Sequence, residues 1–105
     1  MAQFTVYRNR SPRTRGDVPY LLAVQSDLLQ DLATRVVVPL YRKTPEAGPA
    51  ITRLMPELVV EGVSLIMNTA QLAGVAVREL GEPVTVLADH RQDILAALDL
   101  LFTGF

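Results

Sequence analysis

The chain has no cysteine, a single histidine and a formal net charge of -1 over 105 residues. Without cysteine there is no disulfide framework and no thiol chemistry, which fits a reducing compartment. One histidine and no cysteine leave the usual zinc sets incomplete, so no metal is expected. A histidine-dependent triad would have to use His90, and no serine sits in a G-x-S-x-G context. No glycine-rich phosphate loop occurs. The near-zero charge argues against a surface that grips nucleic acid by neutralising phosphates. No apolar run is long enough to cross a bilayer, and MAQFTVYRNR is not a signal peptide. The expectation is a soluble, cytoplasmic protein with no cofactor and no membrane partner.

What is present is a globular composition: 50% of the residues are hydrophobic and 20% charged. That suits one domain over 1–105 with a single core. From Gln3 to Asn9 polar and apolar residues alternate, Phe4 and Val6 on one face, Thr5 and Tyr7 on the other, as in a strand. Arg10–Asp17 reads as an exposed loop. Pro19–Gln25 is a second strand, with Tyr20, Leu22 and Val24 on one face. Ser26 and Asp27 are turn residues. Leu28 and Leu29 then fall in a loop where no helix or strand period buries both, which marks a candidate contact patch. Thr34–Tyr41 is β-branched and extended, with Pro39 signalling an edge or a bulge. Arg42–Pro56 is a proline-containing excursion with room for a helical turn around Ala50–Leu54. Leu58–Glu61 and Val63–Asn68 flank Glu61-Gly62, a site for a tight hairpin. Gln71–Gly74 reads as a turn. Val75–Leu80 and Val84–Leu87 read as strands around a Gly81-Glu82-Pro83 turn.

The chain closes with Leu87–Phe105, LADHRQDILAALDLLFTGF. Ile94, Leu95, Leu98, Leu101 and Phe102 recur at helical spacing. Asp89 with Gln92 three residues on suggests an N-cap, and Gly104 is placed just past the helix end. Many short strands followed by one helix indicate a small antiparallel barrel or sandwich with the helix against it. Aspartates and glutamates are scattered, with no pair set for acid–base work. The residues therefore point to a binding protein and not to an enzyme. Its candidate surfaces are the apolar carboxyl terminus and the Leu28-Leu29 pair.

Over nearly its whole length the chain also resembles the CcdB family of bacterial toxins. The resemblance is carried by Gln3-Phe4-x-Val6-Tyr7, Val24-Gln25-Ser26-Asp27-Leu28-Leu29 and Arg35-Val36-Val37-Val38-Pro39-Leu40. It continues in Gly74-Val75-Ala76-Val77, in His90-Arg91-x-Asp93-Ile94 and in the closing Leu100-Leu101-Phe102-Thr103-Gly104-Phe105. It implies a mainly β fold, an SH3-like antiparallel barrel with a long C-terminal α-helix, acting as a homodimer. It implies binding to the A subunit of DNA gyrase and trapping of the DNA-cleaved state. A cognate CcdA-like antitoxin with a disordered binding segment would neutralise the toxin. Toxin and antitoxin would repress their operon together, with DNA touched only through the antitoxin.

By position the family's gyrase contacts fall on Asp99, Phe102, Thr103, Gly104 and Phe105. Antitoxin contacts fall on Gln25, Ser26, Leu28, Leu29, Asp99 and Phe102. Dimer contacts would involve Met67–Val77 and the helix end. The chain departs from the family pattern at Thr103, usually tryptophan, at Asp99, usually asparagine, and at Phe105, usually isoleucine. Losing a well-packed interface tryptophan commonly removes about 2–4 kcal/mol of binding energy. Two alternatives follow from the same barrel. One is an endoribonuclease toxin, which would recruit Arg8, Arg10, Arg13 and Arg15. The other is a CcdB-like protein that keeps antitoxin binding but has lost gyrase poisoning.

Overall fold

Alternating apolar residues put one side of each early strand into a common interior. In the computed structural model, which describes residues 3–44 and 53–104, that interior is the concave side of one curled antiparallel sheet. The strands are β1 (Thr5–Asn9), β2 (Tyr20–Ala23), β3 (Thr34–Arg42), β4 (Glu57–Val60), β5 (Val63–Met67), β6 (Ala73–Ala76) and β7 (Leu80–Val86). Their order is β4-β5-β3-β2-β1-β7, with β6 added on β3. The helix α1 (Arg91–Thr103) follows. The expected mainly β fold, a small antiparallel barrel with a C-terminal helix, is observed as a curled, half-barrel sheet with that helix against it.

Phe4, Val6, Leu22, Val38, Leu40 and Leu65 fill the concave side, and Ile94, Ala97 and Leu98 of α1 close over it. Of the expected apolar stripe, Ile94 and Leu98 are buried, Leu95 and Leu101 are half-buried and Phe102 is in solvent, while Ala97, which the stripe did not include, is buried. The convex side carries a second, smaller cluster of Tyr7, Ala23, Val37 and Leu80, with Leu21 and Val75 against it. Tyr7 has its phenol pKa raised by that burial. The Glu61-Gly62 hairpin is as expected: Val60 pairs Val63, and both turn residues have positive φ, 52° and 78°. That is the geometry of the tight turn favoured between twisted strands.

Four local expectations are corrected. Pro39 lies neither at an edge nor in a bulge, because β3 has neighbours on both sides. β6 pairs with Thr34–Val37 and β5 with Leu40–Arg42, and Pro39 sits at the changeover between them. Its carbonyl accepts from the Asn68 amide at 3.0 Å. The Asn68 carbonyl in turn accepts from the Gln71 N–H at 3.0 Å, so the N–H that Pro39 lacks does not leave that acceptor without a donor. Gly74 is not in a turn. A 3-10 turn at Thr69–Gln71 comes first, and Gly74 then pairs with Val36 in β6. Val75–Leu80 is not one strand; Val77–Glu79 forms a 3-10 turn between β6 and β7.

Gly81-Glu82-Pro83 is likewise not a turn but the middle of β7. β7 is an edge strand whose register on β1 shifts around Pro83, and edges and irregularities are where a strand tolerates proline. Gly81 is there for closeness. A Cβ on it would lie 2.6 Å from the Arg8 carbonyl oxygen and 2.9 Å from the Arg8 Cβ. The expected helical turn around Ala50–Leu54 falls mainly outside the described residues.

β4 and β7 lie at the two ends of the strand order, and side chains span the gap between them. The Arg8 guanidinium reaches Glu61 at 3.2 Å and Glu82 at 2.8 Å. The Tyr20 hydroxyl donates to Glu61 at 2.5 Å. The Tyr20 bond and the Arg8 charge hold the Glu61 carboxyl below its ordinary pKa, while burial and Glu61 raise that of Tyr20.

Candidate functional site

The loop between β2 and β3 is built by polar side chains that satisfy backbone groups. Gln25 spans it: its amide nitrogen donates to the Leu29 carbonyl at 3.0 Å, and its amide oxygen accepts from the Val36 N–H at 3.1 Å. The Ser26 hydroxyl accepts from the Leu28 N–H at 3.2 Å and caps a single 3-10 turn, Asp27–Leu29. Arg35 forks back to the Leu32 carbonyl at 2.7 Å and the Gln30 carbonyl at 2.6 Å. Held this way, the loop buries none of its leucines. Leu28 is 93% exposed, Leu29 49% and Leu32 51%.

Both members of the Leu28-Leu29 pair are thus on the surface, as a contact patch requires. Gln25 and Ser26 are the frame that presents them. Leu32 and Arg35 escaped the sequence reading. Leu32 gave the same signal as Leu28, an apolar residue among turn residues. Arg35 gave none, since nothing in a strand pattern says that a cation will fold back on a loop.

The second exposure is the end of α1. Asp99 and Phe102 lie three residues apart on the solvent side, and Phe102 is 68% exposed. The Thr103 hydroxyl donates back to the Asp99 carbonyl at 2.6 Å, so its polar group is already used within the helix. Gly104 adopts φ +79°, and its N–H bonds the Leu100 carbonyl at 3.0 Å, ending the helix as expected. Phe105 lies outside the described residues.

The N-terminal end of α1 differs from expectation. Ala88–His90 forms a 3-10 turn that takes in Asp89, so His90 holds the cap position and makes no side-chain capping bond. Gln3 ties this end of the helix to the base of the leucine loop. Its amide donates to the Val24 carbonyl at 3.1 Å, and its oxygen accepts from Arg91 at 3.2 Å. Phe102 follows Arg91 by eleven residues, roughly 16 Å further along the axis. No hydrogen bond or ion pair joins the leucine loop to the end of α1 among the described residues.

Of the Met67–Val77 stretch, Met67 and Thr69 are buried, while Ala73, Gly74 and Val77 are exposed. β6 there has one edge without a strand partner among the described residues. No group of three or more histidine, cysteine or acidic side chains is placed to hold a metal among the described residues. Nor is any described helix long and apolar enough to cross a membrane.

Residues 3–104 match the family model of the CcdB protein. The chain belongs to the CcdB family. It is thus a toxin of a toxin–antitoxin system by family. Among solved structures it is similar to an endoribonuclease in complex with its cognate antitoxin from a mycobacterial species. The TM-score is 0.71 at 18% identity, covering 94% of this CcdB-family chain and 91% of that chain. At that identity the likeness speaks for the fold.

Proposed function

We propose that the protein binds the A subunit of DNA gyrase and traps the enzyme with its DNA cleaved. It acts as a homodimer and performs no chemistry of its own. The observation that carries this is the end of α1. A large aromatic, Phe102, stands in solvent beside Asp99, Thr103 and Gly104, on a helix whose other face is anchored in the core. A two-fold axis setting two such ends side by side would offer a symmetric surface to a target that is itself two-fold. A CcdA-like antitoxin takes the leucine loop, Gln25 to Leu29, together with Asp99 and Phe102. The toxin–antitoxin complex represses the operon, with the antitoxin on the DNA.

Thr103 sets the strength of the effect. Its hydroxyl is turned inward on Asp99, so it offers a partner its methyl group where family members usually offer an indole. Phe102, and Phe105 by its sequence position, are the aromatics left to replace that contact. The deciding experiment adds purified protein to gyrase and supercoiled DNA and measures cleaved complex. Cleaved DNA should accumulate with the natural chain and not with Gly104→Glu or with residues 103–105 deleted. A folded truncation that still poisons gyrase would overturn the site. Harmless expression with antitoxin binding retained would select the reading in which poisoning has been lost.

The second reading is an endoribonuclease, favoured by one observation, the fold shared with the mycobacterial enzyme. Incubation with RNA in the absence of gyrase separates the two. Cleavage there would replace the gyrase reading.

A further inference from the structure

We infer that the convex face carries a second docking site, an arginine-lined trough that takes an extended acidic peptide segment. Two adjoining depressions form it. One, of about 480 Å³, is lined by Arg10, Ser11, Leu21, Val75, Arg78 and Glu79. The other, of about 590 Å³, is lined by Arg8, Arg15, Leu80, Gly81 and Glu82. Asn9 and Arg10 line both and make them one surface. None of these residues belongs to the leucine loop or to the end of α1, and only Val75 falls within the 67–77 stretch of expected dimer contacts.

The charges are unevenly used. Arg8 is engaged by Glu61 and Glu82. Arg10 spends one N–H on the Arg78 carbonyl at 3.2 Å. Arg10, Arg15 and Arg78 have no ion pair among the described residues. Three guanidiniums therefore face the trough with forked donors that suit carboxylates. Between them the floor is apolar, from Leu21, Val75 and Leu80 of the convex cluster. Gly81 keeps β7 close to β1: an added Cβ would meet the Arg8 carbonyl oxygen first, at 2.6 Å, and then the Arg8 and Arg10 stems at 2.9 and 3.1 Å.

This mixture selects a peptide over a polynucleotide. In an extended peptide, side chains alternate, so carboxylates can meet arginines while apolar groups meet the floor. A phosphate backbone would instead run its unbroken charge past Glu79 and Glu82. The trough lining includes no aromatic ring on which bases could stack.

The test uses the full chain and three labelled probes in fluorescence anisotropy. These are a synthetic peptide of alternating glutamate and leucine, the same peptide with glutamine for glutamate, and an oligouridylate of equal charge. The glutamate peptide should bind, and binding should weaken about tenfold or more in the Arg10→Ala/Arg15→Ala double variant. It should weaken similarly when salt is raised well above physiological strength. Val59→Ala, an exposed position outside the trough and outside the surfaces given to gyrase and the antitoxin, should bind as the natural chain does. Arg15→Glu serves as a second variant, with melting temperatures confirming that each is folded. The proposal is overturned if the glutamate peptide does not bind or the glutamine peptide binds equally well. A double variant that binds unchanged, or a preference for the oligouridylate, also overturns it.

Discussion

The leucine loop and the end of α1 both hold apolar side chains in water, and they do so by opposite means. The loop is kept in shape by Gln25, Ser26 and Arg35, whose polar groups satisfy its backbone, and it buries no leucine. The helix end is kept in place by Ile94, Ala97 and Leu98 further up the helix, which are locked in the core. In one case hydrogen bonds carry the display, in the other hydrophobic burial. Side chains that do the displaying and side chains that are displayed should therefore separate cleanly on mutation.

The largest effect tests the helix. Ile94→Ala should lower unfolding free energy by about 2–5 kcal/mol, since it empties a fully enclosed site. Phe102→Ala should stay within about 0.5 kcal/mol of the natural chain while removing the gyrase effect. Urea denaturation alongside the cleavage assay reads both; equal destabilisation by the two would break the division of the helix. Gly81→Val comes next, at about 1–3 kcal/mol, because its Cβ would meet the Arg8 backbone. An unchanged urea midpoint would mean that β7 can move off β1 freely.

The loop should respond more weakly. Gln25→Ala leaves the Val36 N–H without its acceptor and should cost about 1–2 kcal/mol. Hydrogen exchange at that amide should quicken. Leu28→Ala should leave stability and exchange unchanged and lower antitoxin affinity alone, measured by calorimetry. If Leu28→Ala loosened the loop as Gln25→Ala does, the leucine would be a structural residue and not a displayed one.

The smallest effect concerns the seam. Glu61 has its pKa lowered by Tyr20 and Arg8, so its contribution is present above the ordinary carboxylate value of about 4.3. It is lost as pH falls through the depressed folded value. The site is exposed, so the loss should be slight. Thermal melting at stepped acid pH should show Glu61→Gln less acid-sensitive than the natural chain.

Strand periodicity disclosed the concave core because alternation and burial are local and repeat. It failed at Gly81-Glu82-Pro83, where turn-forming residues were recruited into a strand by an edge position and a close backbone approach. It failed again at Pro39, because a proline is harmless where one neighbouring strand hands over to another, and that handover depends on distant residues, Ala73 opposite Val37 and Met67 opposite Leu40. Arg35 was illegible for a similar reason: its partners are backbone carbonyls, which no side-chain pattern records. The exposed apolar residues were unevenly marked: Leu28-Leu29 fell outside any period, which is a local signal, whereas Phe102 lay on the helix's apolar period and only the packing of α1 put it in solvent.

By itself, then, the sequence determined that α1 forms and turns Ile94 and Leu98 inward, its glycine stop, the Glu61-Gly62 hairpin and the Leu28-Leu29 pair left without a period. These follow from short-range spacing and backbone preference. Tertiary structure alone decided that the break between β6 and β7 falls at Val77–Glu79 and not at Gly81-Glu82-Pro83, that Arg8 bridges both sheet ends, and that arginines from loop and turn converge on one trough. Those depend on which distant segments meet, and curling the sheet is what brings them together.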